Sequence, residues 1–161
     1  MPDPVVSIIP IQPLHPKLGK LVPFVAQRIL DLASQVQPQF DPVVLTQAYL
    51  SRLYAGDATV AILAFVEDNG ALVGHALAEL QTDGIRRWVT VHQMKQDGNV
   101  GDAVQRALGE LSSWGRAYGA DVLEVVMSRD DQKWREKYGF TKVQYRVFRD
   151  LNDEGSAPPS E

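Results

Sequence analysis

The segment Val89-Thr-Val-His-Gln-Met-Lys-Gln-Asp-Gly-Asn-Val-Gly-Asp-Ala-Val104 holds the residue types that point most directly to chemistry. A β-branched run passes into a polar stretch with glycines at 98 and 101, and apolar residues at helical spacing follow. The first N–H groups of a helix have no intrahelical partner, and the helix dipole adds positive character there. Glycine lets a phosphate approach such a backbone closely. The segment therefore predicts an anion site at residues 97–102 suited to a pyrophosphate; the alternative is an ordinary strand-to-helix loop. His15, in a loop, and His75 and His92, on strands, show no metal-ligand spacing, so no metal is expected. The chain has no cysteine, which excludes a disulfide scaffold, a thiolate metal site and a cysteine nucleophile. No Ser-His-Asp arrangement is visible locally.

The elements that must position this loop follow from periodicity and turn chemistry. Val5–Ile11 reads as an edge strand closed by Pro10 and Pro13, and residues 12–20 as a loop. A helix is expected from near Leu21, with Pro23 in its first turn and Leu21, Val25, Ile29, Leu32 and Val36 on one face. Asp41-Pro42 is an N-cap with proline at the first helical position, opening a helix through Leu45, Ala48, Tyr49 and Leu53 that Gly56 ends. Thr59–Val66 and Ala71–Leu80, joined by Asp68-Asn69-Gly70, read as a β-hairpin. Trp88–His92 reads as a short strand, residues 93–99 as a polar connection, and Ala103 through Trp114 as an amphipathic helix ending near Gly119. Val122–Met127 is expected as a buried strand, Asp130–Tyr138 as a short charged helix capped by Gly139, and Thr141–Arg149 as a last strand. The order β-α-α-β-β-β-α-β-α-β implies an α/β sheet with helices on both faces, antiparallel hairpins and at least one crossover helix.

Composition narrows the function classes. The chain has 161 residues, 45% of them hydrophobic and 22% charged, which suits one globular domain. Its formal charge is −4, but residues 1–149 hold all 16 basic residues and 16 of the 20 acids. The excess lies wholly in Asp150, Asp153, Glu154 and Glu161. The expectation is one domain over 1–151 and an acidic Pro/Ser tail over 152–161. Residues 129–149 carry seven bases against three acids, a patch that either attracts an anion or is simply a solvated face. Neither the strong positive balance of a nucleic-acid binder nor an apolar stretch of membrane-spanning length is present. The N-terminus lacks the basic and apolar regions of a secretory signal, so a cytoplasmic protein is expected.

The chain resembles the GNAT superfamily of acyl-CoA-dependent N-acyltransferases over residues 5–151. In that family a strand enters [Arg/Gln]-x-x-Gly-x-[Gly/Ala] at a helix start, whose amides hold the pyrophosphate of acetyl-CoA. Gln96 and Gly101 match this pattern, and Asn99 stands in place of its first glycine. Asparagine enters left-handed geometry more readily than most residues, so the turn is expected to survive there. Asp97 and Asp102 add negative charge beside it. Trp134-Arg-Glu-Lys-Tyr-Gly-Phe140 is similar to the family's Phe-Tyr-Glu-Lys-Leu-Gly-Phe, with Glu136, Lys137, Gly139 and Phe140 coinciding. Leu72-Val-Gly-His-Ala-Leu-Ala-Glu-Leu80 resembles the family's third strand.

The resemblance implies a mixed, mainly antiparallel sheet with helices on both faces. It also implies acetyl-CoA bound along residues 91–102 and direct acyl transfer to an amine. Its cofactor-binding stretch corresponds to Val91, Gln96, Asp97, Gly98, Asn99, Val100, Gly101 and Asp102, and His92 falls where main-chain groups meet pantetheine. The family's tyrosine acid corresponds to Arg135, which stabilises charge but donates no proton near neutral pH. The asparagine before that helix falls at Ser128, and a small apolar pair becomes Asp131-Gln132. Glu79, sharing a strand face with His75, is then the candidate base, the alternative being a solvated carboxylate. Tyr138 is the candidate proton donor, the alternative being a core aromatic. These departures also suit a second class: a catalytically inactive GNAT-like structural or binding subunit, for example of a phage virion, with a protein partner or second copy held through the tail.

Overall fold

Asp41 shows how local chemistry sets the element boundaries. Its side chain accepts from the N–H groups of Val43 and Val44 at 2.9 and 3.0 Å, and Pro42 opens the helix where no N–H is needed. The computed structural model describes residues 4–126 and 132–141. The chain divides into two compact units, Met1–Ser128 and Arg129–Glu161. The expected strand at 141–149 beyond Thr141, the boundary at 151/152 and the acidic tail lie outside the described residues.

In the first unit the strands are β1 (Val6–Pro10), β2 (Val60–Glu67), β3 (Leu72–Thr82), β4 (Arg87–Gln96) and β5 (Val122–Val125), and the helices are α1 (Val22–Val36), α2 (Pro42–Tyr54) and α3 (Ala103–Ala117). The strands lie side by side in sequence order, β1 at one edge. The first three pairings are antiparallel. The fourth is parallel, because α3 carries the chain back across the sheet. The second unit contributes α4 (Gln132–Tyr138), ended by Gly139 at φ 76°.

Alternation in β2 divides the core. Ile62, Ala64 and Val66 pack with Val25 and Ile29 of α1 and Tyr49 of α2. Leu63 and Phe65, pointing the other way, are equally buried and are covered from the α3 side. Helices therefore cover both faces, as expected. The buried stripe of α1 is Val22, Val25, Ile29 and Ala33. Leu32 and Val36 are only half-buried, because the inward face runs one residue away from the expected one.

Two strands depart from expectation. β4 runs four residues past His92, so residues 93–96 are strand and not connection. Gln93, polar but fully buried, is the residue that misleads: its side chain is paired inside the sheet instead of being solvated. β5 is not a buried strand within the described residues; Val122 is exposed and Leu123 to Val125 are half-buried.

The β3–β4 ladder contains a bulge. Leu77 pairs with Gln93 and Ala78 with Val91, leaving His92 as the extra residue. The side chains of His92 and Gln93 consequently share the α1/α2 face, where one meets Glu79 and the other the Ile29 carbonyl.

Close approach explains one glycine. A Cβ on Gly115 of α3 would lie 2.4 Å from Cγ2 of buried Val89, a stiff β-branched side chain. Gly115→Ala is expected to destabilise in denaturant unfolding, since overpacking of about 1–3 kcal/mol more than offsets the up to about 1 kcal/mol that alanine gains in a helix. Combined with Val89→Ala, the loss is expected to fall short of the sum of the two single changes.

Candidate active site

The bulge brings a polar cluster together on the α2 side of the sheet. His92 Nε2 lies 2.9 Å from Glu79 Oε1, and Arg52 Nη1 donates to Glu79 Oε2 at 2.6 Å. The Tyr49 hydroxyl donates to Glu79 Oε1 at 3.4 Å and accepts from Gln37 Nε2 at 3.3 Å. Arg52 is itself held by Asp57 at 2.9 Å and by Thr59 Oγ1 at 2.8 Å. The helical spacing of Tyr49 and Arg52 puts both over β3.

The electrostatics follow from these contacts. Glu79 is held down at about 2, first by its hydrogen bond to His92 and then, against burial, by Arg52. Tyr49 is pushed up to about 12, chiefly by burial, and keeps its proton. Because ionised Glu79 can only accept, His92 Nε2 carries a proton and donates a hydrogen bond to Glu79. Glu79 does share a face with His75, but His75 belongs to another set of contacts. Its Nε2 lies 2.8 Å from Gln93 Oε1, and Arg28 Nε lies 3.4 Å from its Nδ1.

The loop expected to hold an anion lies at the end of β4. Gln96 is the last strand residue, paired with Gly74, and the Asp97 N–H donates to the Val73 carbonyl at 2.8 Å. Gly98 and Gly101 take positive φ, 67° and 59°. Asn99 does not, so the left-handed positions fall on the two glycines flanking it. Asn99 Oδ1 instead accepts the Gly101 N–H at 2.9 Å. Val100 is buried as an anchor, and Val91 is wholly buried, its carbonyl accepting from Val126 at 2.9 Å. Each acid of the loop carries an arginine: Arg28 on Asp97 at 2.7 Å and Arg106 on Asp102 at 2.8 Å. Arg28 holds the Asp97 carboxyl below its ordinary range. The loop thus offers glycine-bearing backbone at a helix start with its own negative charge countered, while the Gly101 N–H is taken up by Asn99.

In the second unit the Tyr138 ring meets Trp134 at a tilt of 55°, ring centroids 4.9 Å apart, with Lys137 Nζ 5.4 Å from the tyrosine ring centroid. Trp134 also meets Phe140 edge-on at 5.8 Å. Arg135, at the family's tyrosine position, is exposed. Ser128 and Asp131 lie outside the described residues. Among the described residues no group of three or more His, Asp or Glu is placed to hold a metal, and no helix is long and apolar enough to cross a membrane.

This architecture is the GNAT acetyltransferase fold. The AAC(6')-Iy structure, which holds the bisubstrate analogue CoA-S-monomethyl-acetylneamine, matches with a TM-score of 0.64 at 16% identity, covering 92% of this chain and 99% of that one. Glucosamine-6-phosphate N-acetyltransferase from Arabidopsis thaliana matches with 0.62 at 10% identity, covering 92% and 99%. An acetyltransferase from Trypanosoma brucei matches with 0.62 at 17% identity, covering 91% and 100%. No family model matches the chain, and no curated protein matches it by sequence.

Tyr49, Arg52 and Arg28 were not legible as site residues, since each reads as an ordinary helix position. The one available signal was the run Arg52…Asp57…Thr59, a cation and two side-chain acceptors around the Gly56 turn. A pH test follows from Glu79. Its carboxyl lies near 2 in the folded chain against an ordinary 4.5, so its contribution is present above about 4.5 and lost as pH falls toward 2. Denaturant unfolding across that window is expected to lose up to about 3 kcal/mol from this group. Glu79→Gln is expected to flatten that part of the curve and to lower stability at pH 7.

Proposed function

We propose that the chain is an N-acyltransferase that moves an acetyl group from acetyl-CoA to an amine by direct attack. The observation that carries this reading is the Glu79–His92 pair set at the β4 bulge of a GNAT fold. The acetyltransferase neighbours support it, one of them with a CoA-containing analogue bound. Gln96 to Asp102 would hold the pyrophosphate, and acetyl-CoA supplies a thioester whose acyl carbon is open to the amine nitrogen.

The residues then divide the proton work. A carboxyl near 2 is far too weak a base for an ammonium of pKa about 10. Glu79 therefore orients His92 and offsets the positive charge the imidazole gains, while His92 Nδ1 takes the proton of the attacking amine. In this reading His92 acts through its side chain as well as its backbone. The CoA thiolate leaves as the new amide bond forms and takes its proton from solvent. One feature, the Asn99 side chain seated on the Gly101 N–H, favours the other reading, a domain that no longer transfers an acyl group.

Thermal unfolding with acetyl-CoA separates the two. At 100 times its dissociation constant the ligand is expected to add about 2.7 kcal/mol of stability. No stabilisation at millimolar acetyl-CoA overturns the acyltransferase reading. In a thiol-release assay over a panel of primary amines, His92→Gln is expected to cut kcat by about 10²–10⁴-fold without changing CoA affinity.

A further inference from the structure

We propose that Arg28, acting with His75 and Gln93, is a positioning residue that ties α1 to both the β4 bulge and the acyl-CoA loop. The catalytic consequence rests on the acyltransferase reading; the tether itself does not. Four side chains outside the Glu79 cluster make up this link.

Arg28 Nη1 donates to Asp97 Oδ2 at 2.7 Å, and its Nε faces His75 Nδ1 at 3.4 Å. His75 Nε2 lies 2.8 Å from Gln93 Oε1, and Gln93 Nε2 donates to the Ile29 carbonyl at 3.1 Å. A guanidinium can only donate, so His75 Nδ1 is the acceptor and its proton sits on Nε2. That proton requires Gln93 to turn its oxygen toward His75, which aims the amide nitrogen at Ile29. One assignment of protons satisfies every member, and the circuit begins and ends on adjacent residues of α1.

His75 and Gln93 are both fully buried, so a broken link leaves polar groups without water. Burial also lowers His75 to about 4, which keeps the ring neutral and the circuit unchanged near neutral pH. Gln93 is one of the two bulge residues, and Asp97 stands between the end of β4 and Gly98. The same arginine therefore steadies the strand that presents His92 and counters the Asp97 carboxylate within the loop. A half-exposed ion pair contributes little to global stability. The effect of Arg28 is accordingly local to residues 93–102.

The test uses amide hydrogen exchange and calorimetric titration with CoA on the full chain. Arg28→Met is expected to speed exchange over residues 94–102 while leaving β2 protected. It is also expected to raise the CoA dissociation constant on the order of tenfold, about 1.4 kcal/mol. Adding Asp97→Asn is expected to recover part of the affinity, because the freed carboxylate is gone, but not the exchange protection. Should Arg28→Met fail to fold, Asp97→Ala alone cuts the link at its exposed end and must speed exchange in the loop. Unchanged loop exchange overturns the proposal, as does unchanged CoA affinity in a folded Arg28→Met chain whose wild type binds CoA. Faster exchange in a chain whose wild type binds no CoA upholds the tether and overturns the acyltransferase reading instead.

Discussion

The constraint on which the rest of the site depends is the extra residue in β4. In a regular strand His92 and Gln93 would point to opposite faces; the bulge turns both toward α1 and α2. Two adjacent polar side chains then face a covered side of the sheet, and burial without partners is costly for each. Glu79 on β3 meets His92, while His75 on β3 and the Ile29 carbonyl on α1 meet Gln93. The polar residues of β3 therefore answer the bulge, and the helices are held where they complete those pairings.

Countercharge is the second organising feature. A candidate anion loop with Asp97 and Asp102 in it looks self-defeating, because carboxylates repel a diphosphate. The fold corrects this from two directions: α1 supplies Arg28 to the first, and α3 supplies Arg106 to the second. Arg106 also reaches the Val6 carbonyl of β1 at 2.6 Å, so the pairing is set against the frame. Neither ion pair is worth much as a stabiliser at these exposures. Their value lies in the local potential, which falls off within about 8 Å at physiological ionic strength and so matters to the loop alone.

How far the sequence is legible depends on the range of the interaction. The Asp41 cap, the Asp68-Asn69-Gly70 turn and the period of α3 are set by neighbours a few residues away, and each was readable. The true length of β4 was not, because Gln93 is made strand-like by partners 18 and 64 residues distant. The same holds for the site. Glu79 and the loop over 96–102 were readable as candidates, but the partners that decide their chemistry, Tyr49, Arg52 and Arg28, lie 27 to 69 residues away on helices. Periodicity assigns such residues to a face without saying what they meet there.

That distinction decides between two jobs for Glu79. Read alone, a carboxylate on an alternating strand is a natural base. Placed in the fold, it accepts from His92, Arg52 and Tyr49, and every one of those contacts favours its ionised form. A group so thoroughly satisfied gives up basicity in exchange for a fixed position. His92 differs in that only one of its two ring nitrogens faces Glu79, which anchors Nε2 as a donor and leaves Nδ1 outside that pairing. Under the acyltransferase reading proposed above, the arrangement separates orientation from proton transfer between two residues. Arg52, pinned by Asp57 and Thr59, keeps the orienting half from drifting toward the basic one.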